Sequence, residues 1–290
     1  MKKRLPAHAG TFYPANREEL VEALEASFNH PLGPGRLPRE ATRKRDGERV
    51  LGYLVPHAGY MYSGPVAAHA YLDMAVSIPE RPDAVVIVGP NHTMLGLRAS
   101  VYKEGYWETP LGLAEVDSEL AKLIVAGSRF FAFDETAHMY EHSVEVQVPF
   151  LQYIYGEDVR IVPIVIGLQT LEVARDLANA VNKVISEHGA RILYVATTDF
   201  NHYESHEITV EKDRRALEKI LELDAEALYD VVEKVPVTMC GPAPAASLIY
   251  LAREVGAPKP ILLKHATSGD VTGEKGWTVG YASIKFPARG

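Results

Sequence analysis

The sequence predicts an α/β fold, a single domain with a central, mainly parallel sheet flanked by helices. Three observations predict it. Short runs rich in β-branched and apolar residues alternate with longer amphipathic segments along the chain. No linker, internal repeat or low-complexity tract interrupts the 290 residues, so residues 1–290 read as one domain. Three strand-like runs also end in a histidine-bearing loop: V-L-G-Y-L-V-P-H at 50–57, A-V-V-I-V-G-P-N-H at 84–92 and I-L-Y-V-A-T-T-D-F-N-H at 192–202. In open α/β sheets, ligands bind just beyond the carboxyl ends of the strands. His57, His92 and His202 would stand there.

The elements follow in order. Residues 4–14 read as an ordered arm rather than a helix. Asn16 caps a helix, with Glu19 at the capping-box position and Leu20, Leu24 and Phe28 on the buried face. Residues 30–49, rich in Pro, Gly and charge, read as a solvated surface loop, and acidic residues interrupt the positive run that a basic docking site would need. The strand at 50–55 stops at Pro56, which has no N–H to give to a ladder, and a helix of small residues starts at 65 and runs to about 76. A second strand covers 84–88 and a short third 98–102, while 107–113 reads as a loop around Pro110 and Gly112. Asp117 caps a helix that turns Leu120, Leu123 and Ile124 inward.

Residues 138–155 fit two periods. Val144, Val146 and Val148 alternate as in a strand, whereas Val144, Val148, Leu151 and Tyr155 share a helical face, with Glu141 and Glu145 one turn apart. Helix is the reading adopted, kinked or entered near Pro149. A strand at 160–166 and a helix at 171–188, stopped by Gly189, come next. After the strand at 191–198 come helices at about 210–221 and 224–232, and then one from Pro242 to about 255. Strands at 260–265 and 277–286 close the sheet, the last one antiparallel because only a short loop precedes it.

Composition narrows the function. A net charge of −8 argues against nucleic acid as a partner. The single cysteine, Cys240, permits no internal disulfide and points to a reducing compartment. Residues 1–13 are basic but lack the apolar core of a signal peptide, and no apolar run is long enough for a membrane span. A cytoplasmic protein with no membrane partner is expected. There is no G-x-G-x-x-G, no G-x-x-x-x-G-K-[ST] and no G-x-S-x-G, so nucleotide-phosphate binding and serine hydrolysis find no support.

The histidines carry the chemistry. Either His57 or His92 alone would be read as a residue bonding its own loop. At equivalent ends of neighbouring strands, the pair favours a metal site, since neutral imidazole is the commonest metal ligand. Cys240 alone would be a small buried hydrophobe. It directly precedes Gly241-Pro242, at an expected helix N-terminus that favours thiolate. A soft sulfur beside two imidazoles suits iron, copper or zinc. Asp199 and His202 read either as a helix cap and an exposed ring or as an orienting or additional ligand carboxylate and a proton-transfer group. Glu141, His142 and Glu145 read either as a surface helix start or as a second layer around the metal. His138 and His265 stay unassigned.

Taken together, the motifs resemble one known family. They are F-Y-P at 12–14, P-H-A-G-Y-x-Y-S-G at 56–64, G-P-N-H at 89–92, E-H-S-x-E-x-Q at 141–147, D-F-x-H-Y at 199–203, C-G-P at 240–242 and V-G-Y-A-S at 279–283. In this order, over nearly the whole chain, they closely resemble the Memo family. Its microbial members are also named protein B of the AmmeMemoRadiSam system, after their association with an AMMECR-type and a radical-SAM protein. The family is structurally similar to class III extradiol dioxygenases, which hold Fe(II) with two histidines and a glutamate and use another histidine as acid/base. The resemblance implies that His57 and His92 match the two histidines, that Cys240 stands where the carboxylate would be, and that His202 is the acid/base group.

The Cys-for-Glu departure changes the donor set from that of the ring-cleaving enzymes. The animal member is linked to phosphotyrosine-peptide binding and to copper or iron redox chemistry. Two functions are therefore expected. One is a metal-binding protein with iron- or copper-dependent redox or oxygen chemistry. The other is a non-catalytic module that holds a small molecule or peptide in the inherited cleft.

Overall fold

The computed structural model describes residues 2–42 and 49–289. At its centre, five parallel strands lie in the order Gly112–Val116, Arg160–Ile166, Ala84–Pro90, Ile192–Thr197 and Val50–Val55. Thr278–Pro287 joins the sheet antiparallel to Val50–Val55, and Ile261–Thr267 pairs antiparallel with Thr278–Pro287. The sheet is mixed, and its site-bearing part is parallel.

The inner strands are continuous apolar runs because both faces are covered. Alternate side chains divide them between two cores. Val86, Val88, Tyr194 and Ala196 pack on one face, against the helices Leu171–His188 and Pro242–Glu254. Val85, Ile87, Leu193 and Val195 pack on the other, against Arg17–Asn29 and Tyr60–Ser77. The result is one α/β domain, with nine α-helices among the described residues. No helix among them is long and apolar enough to cross a membrane.

Several elements end where local chemistry says they should. Asn16 accepts from the N–H groups of Glu18 and Glu19, and Asp117 from that of Leu120, each capping its helix. Gly189 closes Leu171–His188 in the left-handed conformation, φ 62°.

Four sequence expectations are corrected. Residues 107–113 are not a loop: Gly105–Thr109 and Gly112–Val116 form a hairpin, with Trp107 opposite Ala114 and both buried. The helix expected over 138–155, kinked or entered near Pro149, spans Gln147–Tyr155, so it is entered close to Pro149 but lacks the turns before it. Residues 141–142 are irregular and 143–146 form turns instead, because the Glu141 and Glu145 carboxylates are drawn to partners in different directions, as described below. The helix after His57 starts at Tyr60, not at 65. The stretch 30–49 is not wholly solvated, since Leu37 and Ala41 are buried in the second core. Residues 43–48 of that stretch lie outside the described residues.

Candidate metal centre

The site forms where three adjacent strands end together. Val55 pairs with Thr197, so residues two positions further on emerge side by side. Accordingly, the His57 main-chain N–H donates to Asp199 Oδ1 at 2.8 Å. Ala84–Pro90 lies on the other side of Ile192–Thr197, and its continuation delivers His92.

Each imidazole is held by its surroundings. His57 is buried, and its Nδ1 lies 2.8 Å from Thr197 Oγ1. That hydroxyl also accepts from Gln147 Nε2 at 3.2 Å, and Gln147 in turn accepts from the Tyr71 hydroxyl at 2.6 Å. His92 Nδ1 donates to Glu141 Oε1 at 2.8 Å, which leaves Nε2 with its lone pair. His142, in the turn next to Glu141, lies with its ring between Phe12 and His92, at centroid distances of 4.5 and 4.4 Å.

These constraints bring three histidines together. One ligand nitrogen each from His57, His92 and His142 lies within 4.8 Å of the others. Two donors on one ion stand at most about 4.2 Å apart, twice a metal–nitrogen bond, so small ring rotations close the set. Cys240 reaches the cluster through His57: its Sγ is 3.1 Å from His57 Nε2 and accepts the Asp199 main-chain N–H at 3.2 Å. The close approach needs Gly241, where a side chain would strike the Thr197 carbonyl. The structure thus puts His142, expected behind the metal, into the donor cluster itself.

A family model described as "Memo-like protein" matches residues 4–285. The chain belongs to the Memo family. A MEMO1 family protein of Aeropyrum pernix is 53% identical over 285 residues, which cover 98% of this chain and 100% of the relative. One from Desulfurococcus amylolyticus is 50% identical over 99% of both chains. Among solved structures, an uncharacterized protein from Escherichia coli K12 superposes with a TM-score of 0.55 at 15% identity, covering 82% of this chain and 99% of that one. That likeness concerns the fold.

In this Memo-family chain, burial sets the charge state of the cluster. It pushes His57 well below the ordinary imidazole range, and neighbouring His92 adds to the effect. It lowers His142 to about 4. Burial alone would raise Glu141, but its hydrogen bond from His92 and the nearby imidazoles outweigh it and hold the carboxyl at about 2. Burial pushes Asp199 up. It also pushes the Cys240 thiol up, aided by Asp199, so the thiolate expected from the helix N-terminus is not the resting form. The donor set fits a metal ion: His57 and His142 rest as neutral imidazoles, each with one unprotonated nitrogen, beside a thiol that an ion would deprotonate.

The remaining expected residues divide. His202 lines a cleft of about 530 Å³ together with His57, His92, His142 and Asp199. Its Nδ1 lies 2.7 Å from the Thr238 carbonyl. Exposed Trp277 stacks on Tyr203 at the rim, with centroids 5.7 Å apart. A larger cavity of about 740 Å³ lies beyond Phe12, but among the described residues it holds no donor cluster. Glu145 turns away from the cluster. It takes Arg4 Nη1 at 2.6 Å, the Ala7 and His8 N–H groups at 3.0 and 2.8 Å, and the Tyr13 hydroxyl at 2.7 Å. It fastens the N-terminal arm whose Phe12 covers His142. Thr197 and Thr238 lie in no motif, and Gln147 closes E-H-S-x-E-x-Q without a role of its own in the sequence; all three act through side-chain contacts between segments distant in the chain.

Proposed function

We propose that this protein binds one metal ion, iron or copper in preference to zinc, and uses it for redox or oxygen chemistry on a small molecule. The observation that carries the reading is the convergence of His57, His92 and His142, with Glu141 fixing the His92 nitrogen. His57 and His92 would hold the ion with His142. Cys240, in contact with His57, would join as thiolate. Such an ion, when bound, supplies a Lewis acid and a one-electron couple.

The chain's own groups supply the rest. Glu141 orients His92, and the Thr197–Gln147–Tyr71 chain orients His57. Asp199 ties the His57 loop to the Cys240 loop, since its side chain takes one main-chain N–H and its own N–H meets the sulfur. His202, on the cleft wall, would accept or return a proton at Nε2, because Nδ1 is committed to a carbonyl. A functional link to AMMECR-type and radical-SAM proteins belongs to the same proposal.

A second reading, a non-catalytic cleft for a peptide or small ligand, draws on the exposed Tyr203–Trp277 pair. Elemental analysis of protein reconstituted anaerobically separates the two. Stoichiometric iron or copper, lost in His57→Ala and His92→Ala, supports the metal reading. No bound metal in the wild type, with a ligand still shifting Trp277 fluorescence, supports the second.

A further inference from the structure

Asn201 lies between Asp199 and His202 in D-F-N-H, at a position the motif leaves free. It is fully buried, and its polar atoms are all engaged. Its Nδ2 donates to Glu204 Oε2 at 2.8 Å and to Thr209 Oγ1 at 3.3 Å. Its Oδ1 accepts both the Thr238 N–H and the Thr238 hydroxyl, each at 3.3 Å. Its main-chain N–H donates to Asp213 Oδ1 at 2.9 Å, and its carbonyl accepts the Gly280 N–H at 2.9 Å. Behind it, Asp213 Oδ2 meets His265 Nε2 at 2.8 Å. Gly280 makes room for this, because any side chain there would collide with the Asp213 carboxylate.

Thr238 is the contact through which this network reaches the cleft. The His202 N–H donates to Thr238 Oγ1 at 2.7 Å, and the His202 ring approaches the Thr238 carbonyl at 2.7 Å. A carbonyl only accepts, so Nδ1 carries the proton and neutral His202 presents a bare Nε2. Thr238 sits in the irregular segment between the helices Ala225–Lys234 and Pro242–Glu254, where no ladder fixes its carbonyl.

We infer that Asn201, backed by Asp213 and His265, is a positioning residue that fixes which nitrogen of His202 carries the proton. It does so by clamping Thr238. The inference rests on the reading of His202 as the proton-transfer group of the cleft. Asn201 touches no reacting atom; it decides that the ring meets the cleft as a proton acceptor.

The test reads the ring directly, in metal-free protein labelled with ¹⁵N-histidine. Long-range ¹H–¹⁵N correlations are recorded where the imidazoles are neutral, and His202 is assigned from a His202→Gln variant. Wild type is expected to show protonated Nδ1 and unprotonated Nε2. Asn201→Leu, which removes the Oδ1 that accepts both the Thr238 N–H and its hydroxyl and leaves that hydroxyl only the His202 carbonyl at 3.4 Å, is expected to lose that single pattern and give a tautomer mixture. Thr238→Val is expected to do the same, while Thr238→Ser, which keeps the hydroxyl, retains the wild-type pattern. If Asn201→Leu does not fold, the Thr238 pair decides. Protonated Nε2 in wild type overturns the inference, as does an unchanged ring in Asn201→Leu or, where that variant is lost, in Thr238→Val. Neither metal nor turnover enters the readout, so its failure and failure of the metal reading are separate results.

Discussion

Glu141 grips His92 at two points: Oε1 takes the Nδ1 proton at 2.8 Å and Oε2 the main-chain N–H at 2.5 Å. The carboxylate is fully buried, and it also accepts the Ser143 N–H at 2.9 Å. One side chain thus sets the loop, the rotamer and the tautomer of a proposed ligand. Carboxylate partners of this kind also raise the basicity of the free nitrogen.

Glu141→Gln keeps the shape and loses the charge. Metal affinity is expected to fall by about 10- to 100-fold, the usual cost of losing such a partner. Competition with a fluorescent chelator measures it. Unchanged affinity would remove His92 from the proposed donor set.

The Arg4–Glu145 pair makes a different prediction. Both groups are buried, and Arg4 also donates to the carbonyls of His138 and Glu141 and lies over the Trp107 ring. Glu145→Ala leaves a buried guanidinium without its carboxylate, which costs about 3–5 kcal/mol. Urea unfolding measures the loss, and limited proteolysis within residues 4–14 shows whether the arm has been released. A stability within experimental error of wild type would show that the arm is held by its other contacts.

Much of this was legible in the sequence. Buried strands flanked by proline announced themselves, so the sheet and the ends carrying His57, His92 and Asp199 could be read directly. Residues 138–155 could not. Their valines fit a helix, but the segment is broken by two glutamates with remote partners, His92 on one side and the arm on the other. Periodicity reports which face is buried; it does not report carboxylates satisfied by residues 49 positions away, as for Glu141, or 141 positions away, as for Glu145. For the same reason Glu145 read as a neighbour of the metal, when it is the anchor of the wall that covers His142.

His138 predicts a pH dependence. It is fully buried, with Nε2 3.1 Å from Ser100 Oγ and Nδ1 unpartnered, and burial, with Arg4 nearby, lowers it to about 3. Above pH 6.5 both folded and unfolded states are neutral here, so the group contributes no slope. As pH falls below that, the unfolded chain takes a proton the folded chain refuses. Stability should therefore drop by up to about 1.4 kcal/mol per pH unit, until the folded ring titrates. His138→Gln is expected to flatten the profile by about one proton between pH 6 and 4 in metal-free protein. Parallel profiles for the two proteins would show that the buried ring is protonated in place.

Cys240 separates the two ways the cluster can hold an ion. Its thiol is neutral at rest, because burial and Asp199 oppose the thiolate. A metal accepts only the thiolate, so binding with Cys240 as a donor must expel a proton. The histidines behave differently. Burial already holds His57 and His142 below neutrality, so they give up little at pH 7. Wild type is therefore expected to release about one proton more per ion at pH 7 than Cys240→Ser titrated with the same metal in weak buffer. Copper affinity should fall more than Fe(II) affinity in that variant, since sulfur is the soft donor. His142→Ala should weaken both metals and leave the proton count unchanged. Equal proton release from wild type and Cys240→Ser would make the three histidines the whole protein donor set. The 3.1 Å contact between Cys240 and His57 would then be packing alone.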